Sequence, residues 1–318
     1  MTGAAGYIGR HLVAALARQP WVETVLAVDR RRMAFPDPPS RVVPLHLDLT
    51  ATPPTALEAV FRSSGTQAVV PLAFLLRPGR DRGLARRINV GALETTLRAC
   101  GGAGVHYVLY LSSATVYGAH PDNPIPLTED APLRPNRGFV YGEDKTAAEG
   151  VLRRWGEEHP EARVTVLRGC PVLGPGADNF VARALRKPLL PACIGHNPPL
   201  QFLHIDDQIA VLLRLLREPI PGVYNLAGRE TVRWREVARL ARRPVVPLPP
   251  ALLEGIVEGT WRLRLQGDSP AVGLAFIRWP FVVSTARLEE ATGWRPTYTA
   301  RQALTAFLGK GVHGHGVS

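Results

Sequence analysis

A chain of 318 residues, 46% of them apolar, is long enough for one large or two modest domains and can bury a substantial core. Its formal charge of +11 rests almost wholly on arginine, since only Lys145, Lys187 and Lys310 are lysines. The basic residues are scattered rather than gathered on one stripe with aromatics, which argues against nucleic acid as a partner and leaves a positive field for an anionic ligand. The three cysteines, Cys100, Cys170 and Cys193, lie too far apart for a CxxC or a zinc spacing and fit a reducing cytoplasm. The apolar stretch 12–17 is short and has no basic lead, and no run approaches the ~18 residues of a membrane span, so neither a signal peptide nor a membrane partner is expected.

The chain opens on Thr2-Gly3-Ala4-Ala5-Gly6-Tyr7-Ile8-Gly9, a GxxGxxG run leading into an amphipathic helix expected over 7–19. Short apolar strands are expected at 24–29, 41–47, 67–73, 105–111 and 163–168. Helical patterns are expected at 55–63, 84–100 and 141–158. Apolar strands that alternate with helices imply a parallel sheet covered on both faces, an α/β doubly wound architecture of Rossmann type. From 169 to 199 proline and glycine punctuate the chain. A strand at 200–205, a helix at 206–216 and a strand at 222–226 follow, and the remainder to about 308 reads as a smaller, mainly helical region. These boundaries assign 1–168 plus about 200–226 to NAD(P) binding and about 169–199 and 227–308 to the substrate. The tail 309–318, with His313 and His315, is expected to be disordered. A Rossmann unit needs a strand ahead of its glycine loop, and only Met1 precedes Thr2. The expectation is therefore that the first strand is missing from this chain or is encoded upstream of it.

The glycine loop carries a chemical reading. Glycines are needed where the backbone turns sharply and approaches a pyrophosphate, whose charge then sits on a helix N-terminus. Asp29, 20 residues after Gly9 and at the end of the next strand, is placed to bind the adenosine ribose hydroxyls. Its carboxylate would repel a 2′-phosphate and favours NAD, whereas Arg30, Arg31 and Arg32 could pair with that phosphate, so NADP stays open.

Tyr141 and Lys145 stand four apart on one helix face. A tyrosine, with a pKa near 10, becomes a usable base when an ammonium stabilises its phenolate. Ser113, at the carboxyl end of an expected parallel strand, can hydrogen-bond the reacting oxygen. Each feature alone has a plain structural alternative: a helix surface for the pair, a strand-end cap for Ser113, a turn for Asp29. Together they point to proton transfer coupled to hydride transfer.

The whole pattern resembles the extended short-chain dehydrogenases/reductases of the NAD-dependent epimerase/dehydratase family, which includes UDP-glucose 4-epimerases. The likeness runs from Thr2 to about Leu308. Gly3, Gly6, Tyr7, Ile8 and Gly9 fall on the family's TGxxGxxG loop. His46-Leu47-Asp48-Leu49 resembles the Asp-Leu step at the adenine. Pro71-Leu72-Ala73 is similar to the His-Leu-Ala turn beside the cofactor, with proline for histidine. Asn89 resembles the asparagine that steadies the active-site region. Ser113, Tyr141 and Lys145 fall on the catalytic serine, tyrosine and lysine, and the resemblance implies that Lys145 also binds the nicotinamide ribose. His204-Ile205-Asp206-Asp207 matches a His-x-x-Asp segment of capping and packing role, and Gly293-Trp294-Arg295-Pro296 a common ending. No metal is implied, and dimers are common among such relatives.

Departures fall on the substrate side. Nucleotide-sugar members carry an asparagine shortly after the position of Arg168, where this chain reads Gly169-Cys170-Pro171. They often carry an arginine four residues before the histidine of His-x-x-Asp, where Leu200 stands here, and Arg278 is the remaining candidate clamp. Burying a diphosphate without such partners is costly. Three readings follow: an enzyme acting on a sugar or nucleotide-sugar, a reductase or dehydrogenase of a non-nucleotide carbonyl compound, and a non-catalytic NAD(P) sensor, which would have no need of the Ser-Tyr-Lys set.

Overall fold

The computed structural model describes residues 1–33, 41–76 and 80–309. They form two compact units, one of Met1–Ser113, Val140–Arg168 and Ile209–Tyr224, the other of Ala114–Phe139, Gly169–Gln208 and Asn225 onward. Of the expected disordered tail, residues 310–318, including His313 and His315, lie outside the described residues.

In chain order the first unit runs α1 (Tyr7–Leu16), β1 (Val25–Asp29), β2 (Val42–His46), α2 (Pro54–Ser63), β3 (Ala68–Val69), α3 (Arg82–Arg86), α4 (Ala92–Ala103), β4 (Tyr107–Ser113), α5 (Val140–Glu158) and β5 (Arg163–Gly169). β1 and β2 pair in parallel, and a second sheet has the order β3, β4, β5, then the strand β10 (Gly222–Leu226). Thr2 joins the two, bridging in parallel to Val28 on one side and Pro71 on the other. Its N–H donates to Val70 O at 3.2 Å and its carbonyl accepts from Leu72 N at 3.2 Å, while Met1 O accepts from Val28 N at 2.9 Å. The slot between β1 and β3, for which the sequence offered no strand, is thus held by Met1 and Thr2. With them the order is the doubly wound one.

Local chemistry explains the elements. α2 starts on Pro53 and Pro54, tolerated in a first helical turn, and buries Leu57 and Phe61, four apart, against the core that α4 shares through Leu93 and Leu97. α4 stops at Gly104, whose left-handed φ of 69° closes the last turn. Val69, Val108, Leu152 and Trp155 complete that core. Burial at Val25, Ala27, Val28 and along Tyr107–Tyr110 shows why these strands read as nearly unbroken apolar runs.

Two expectations need correction. The helix foreseen at 84–100 is three pieces: between α3 and α4, Arg87–Gly91 form a wider π-type turn. Its cause is tertiary, because it carries the buried Asn89 into a hydrogen-bond network described below. The strand foreseen at 67–73 keeps ladder geometry only at Ala68–Val69, its continuation being paired to Thr2 instead.

The second unit contains β6 (Val172–Leu173), α6 (Phe180–Arg186), β7 (Leu190–Cys193), β8 (Pro199–Leu200), β9 (Leu203–His204), most of its chain after α7 (Ile205–Arg217) and β10, then β11 (Val232–Arg233), α8 (Trp234–Leu240), β12 (Val245–Leu248), α9 (Pro250–Arg262), α10 (Ala275–Arg278), α11 (Ala286–Thr292) and α12 (Ala300–Phe307). Two-stranded pairs β6–β9, β7–β12 and β8–β11 run among these helices, and the stretch 169–199 that proline and glycine punctuate holds short strands. Asp207 ties the unit together: its carboxylate accepts from Thr297 N and Tyr298 N, both at 2.9 Å, while His204 stacks on Tyr298 at 4.0 Å. The His-x-x-Asp segment is therefore a packing device in this unit. Among the described residues no helix is long and apolar enough to cross a membrane, and no group of three or more His, Cys, Asp or Glu side chains could hold a metal ion.

Candidate active site

The glycine loop is shaped by contacts no side chain would permit. Gly3 has φ 67°, and a Cβ there would lie 2.5 Å from Ala73 N and from the carbonyl carbon of Leu72. A Cβ on Gly9 would meet Gly3 O at 2.4 Å, so Gly9 lets α1 rest on the loop. Gly6 closes the turn by donating to Gly3 O at 3.0 Å, and the N-terminus of α1 carries no side-chain cap. A sharp loop opening into an uncapped helix start, with Tyr7 and Ile8 in its first turn, is the cradle an anionic pyrophosphate requires.

Asp29, buried at the end of β1, faces this loop. One carboxylate oxygen accepts from Ala5 N at 2.9 Å and the other from Arg31 N at 2.9 Å. A carboxylate has about four acceptor sites, so capacity for ribose hydroxyls remains. Arg30, Arg31 and Arg32 are exposed, and Arg31 alone leans on Asp29, at 3.4 Å. Asp48 is engaged locally: the side-chain and backbone hydrogen bonds of Thr50 hold its carboxyl below the usual range. Leu49, expected beside the adenine, buries its side chain in the hydrophobic core. The backbone of Leu72 and Ala73 lies against Gly3.

Ser113, Tyr141 and Lys145, the candidate catalytic set, come together within the first unit. β4 delivers Ser113 at its carboxyl end, and α5 presents Tyr141 and Lys145 one turn apart. Ser113 and Tyr141 are joined by a side-chain hydrogen bond. Burial pushes the Tyr141 hydroxyl up to about 12, with the Ser113 hydrogen bond opposing, and pushes the Lys145 amine down to about 7, with Glu149 opposing. The expected lowering of Tyr141 by Lys145 is thus not the balance in the free protein, where desolvation of both groups dominates. Lys145 Nζ donates instead to Leu111 O at 2.5 Å and to Tyr110 Oη at 3.3 Å, and it sits 3.9 Å from the centre of the Phe74 ring.

Asn89, which the motifs flagged, and several residues that they did not flag surround these groups. Asn89, 1% exposed, accepts from Leu75 N at 2.6 Å and donates to Asp144 at 2.8 Å, and Asp144 also takes Arg86 at 3.1 Å. This fixes the segment bearing Phe74, whose ring stands edge-on to Tyr141 at 5.3 Å. Behind Ser113, Arg168 forms a buried ion pair with Glu149 at 2.8 Å, and Ser112 donates to the same carboxylate. Glu149 stands four residues after Lys145, a spacing that the sequence does display. Phe74 and Asp144 carry no such signal.

Residues 1–227 match the model of the NAD dependent epimerase/dehydratase family, and the chain belongs to that family. The GDP-6-deoxy-D-mannose reductase of Pseudomonas aeruginosa is 30% identical, over 97% of this chain and 95% of that protein. The ceramide reductase of Caulobacter vibrioides is 26% identical, over 93% of this chain and 85% of its own. Among solved structures, MoeE5 in complex with UDP-glucose and NAD superposes with a TM-score of 0.74 at 26% identity, covering 97% of this chain and 96% of that one.

Proposed function

We propose that the protein is an NAD-dependent oxidoreductase of epimerase/dehydratase type that transfers hydride at a secondary alcohol or ketone, with a sugar or nucleotide-sugar as substrate. The observation that carries this reading is the hydrogen-bonded Ser113–Tyr141 pair with Lys145 one turn along α5, in the same unit as the glycine cradle and Asp29. The cradle fits NAD, because the tight turn that only glycine allows at Gly3 and Gly9 leads into an uncapped helix start whose backbone N–H groups suit a pyrophosphate. Gly3, Gly6 and Gly9 would receive the pyrophosphate and Asp29 the ribose, with Tyr7, Ile8, Arg30, Asp48, Leu49, Leu72, Ala73 and Asn89 shaping the surroundings. Bound NAD supplies a hydride acceptor and a positive charge. Tyr141 as phenolate takes the hydroxyl proton, Ser113 holds the oxygen that becomes a carbonyl, and the Lys145 ammonium stabilises the phenolate. The alcohol thereby loses one proton and one hydride. The MoeE5 complex and the Pseudomonas relative support the nucleotide-sugar side of this reading.

A second reading, a reductase of a non-nucleotide carbonyl compound, is favoured by one observation. Cys170 and Leu200, at positions where nucleotide-sugar members of the family carry polar clamps, are both 5% exposed and offer none. The ceramide reductase relative belongs on that side. Native mass spectrometry of the purified protein, followed by assay with and without added NADH, separates the two. An epimerase retains its nucleotide and turns over without external NADH, whereas a reductase consumes it. A protein that binds neither NAD nor NADP overturns both.

A further inference from the structure

The Lys145 ammonium has three N–H donors to place in a buried site. Two are satisfied, by Leu111 O at 2.5 Å and Tyr110 Oη at 3.3 Å. Among the described residues no carboxylate stands within ion-pair distance of it. The acidic groups that face it from its own helix are committed elsewhere: Asp144 to Arg86 and Asn89, Glu149 to Arg168 and Ser112. Tyr141 on α5 and Tyr110 on β4 are neutral near pH 7, the hydroxyls of both being raised by burial. What remains is the ring of Phe74, whose centre lies 3.9 Å from Nζ, with the centre of the Tyr110 ring at 4.6 Å. A cation over an aromatic face is attracted by the ring quadrupole, and more strongly where water is excluded. The ring is not free to drift. Leu75 N donates to Asn89, Asn89 donates to Asp144, and the ring edge abuts Tyr141.

We propose that Phe74 is a positioning residue of this site: its ring face, with the Tyr110 ring, forms an aromatic seat that holds the Lys145 ammonium in place and favours its charged form over the neutral amine. This rests on the reading of Lys145 as the catalytic lysine. The seat does with a neutral ring what a carboxylate would do with charge. A carboxylate at 4 Å would pair with the ammonium and cancel the field that Tyr141 needs, whereas a ring stabilises the cation and leaves its charge uncompensated.

The chain allows a direct test, because its lysines are only Lys145, Lys187 and Lys310. Protein labelled with carbon-13 at the lysine ε position gives three resolvable signals, assigned with Lys187→Arg and Lys310→Arg and titrated by NMR. Lys145 is expected to titrate near 7, far below the other two. Phe74→Leu keeps the apolar burial and removes the ring face. It is expected to lower the Lys145 midpoint by about one pH unit, a tenfold change in the ionisation constant, while Lys187 stays put. Phe74→Tyr is expected to hold the wild-type midpoint and Phe74→Trp, the better cation acceptor, to raise it. A Phe74→Leu midpoint equal to wild type, or a Phe74→Tyr midpoint that falls with Phe74→Leu, overturns the proposal. Should Phe74→Leu fail to fold, the Trp variant decides: no rise above wild type counts against the seat. The titration needs neither cofactor nor substrate, so a protein that fails to bind NAD would unseat the proposed function and leave this result standing.

Discussion

Two buried cations are served by the same helix, and they are treated in opposite ways. Arg168 reaches from β5 to Glu149 and is saturated: two of its nitrogens meet the carboxylate, and Ser112 takes up more of that acceptor. Lys145, one turn earlier on α5, has two hydrogen bonds, two aromatic rings and, among the described residues, no carboxylate partner. Arginine is always charged and suits a fixed, bidentate, structural pair, while lysine shifts its pKa readily when buried. The chain follows that division: with arginine nearly everywhere else, it keeps a lysine at the position proposed to serve proton transfer. The difference teaches that burial alone does not mark a reactive group. An unneutralised charge beside a hydroxyl does.

If the division is real, the two sites break in different currencies. The largest effect is expected at the chemistry itself. Tyr141→Phe should lose about 10²–10⁴-fold in turnover while NAD binding by calorimetry is unchanged, since only the proton-transfer group is removed. Near-full activity in that variant would take Tyr141 out of the mechanism.

Next comes the structural pair. Glu149→Ala leaves the Arg168 guanidinium buried and unpaired and should cost about 3–5 kcal/mol in urea unfolding. Replacing both residues together with Leu and Met should recover most of that loss, because the desolvation penalty goes with the charges. Equal losses in the single and double variants would show the pair to be net stabilising instead.

Lys145→Met should behave in reverse, losing turnover without losing stability at neutral pH. Its effect on pH dependence has a definite sign. With a folded pKa of about 7 and an ordinary value of 10.5, the unfolded chain binds a proton between those limits that the folded chain does not. Wild-type stability therefore gains a contribution that rises with pH from about 7 toward 10, and the Met variant should lack that rise. Parallel stability curves for the two proteins across this window would mean that Lys145 stays charged when folded.

The smallest effect belongs to the cofactor's far end. NAD should bind more tightly than NADP by about tenfold, on the scale of one charged hydrogen bond, because Asp29 faces the loop while Arg30 and Arg32 are exposed. Asp29→Asn should narrow that ratio. A reversed preference in the wild type would show that the arginines dominate.

How much of this was legible beforehand follows from range. Gly3, Gly9, Asp29, Ser113, Tyr141 and Lys145 announce themselves because their chemistry is local: a turn only glycine can make, a strand end, a one-turn spacing on a helix. The alternating strands and helices were readable for the same reason, since a covered parallel strand must be continuously apolar. The π-type turn at Arg87–Gly91 was not, because its cause is a hydrogen bond from Asn89 to Asp144, 55 residues away. Phe74 reads as an ordinary apolar residue until the fold lays it over Lys145, 71 positions on. The second unit was least legible. Its strands are two to four residues long, too short for any period to show, and they exist because partners such as Val172 and Leu203 meet in space. Sequence by itself determined which residues can turn, cap, donate and ionise. Tertiary structure alone decided which of those groups lose water and which neighbours replace it, and the pKa values of Tyr141 and Lys145 are set by that exchange.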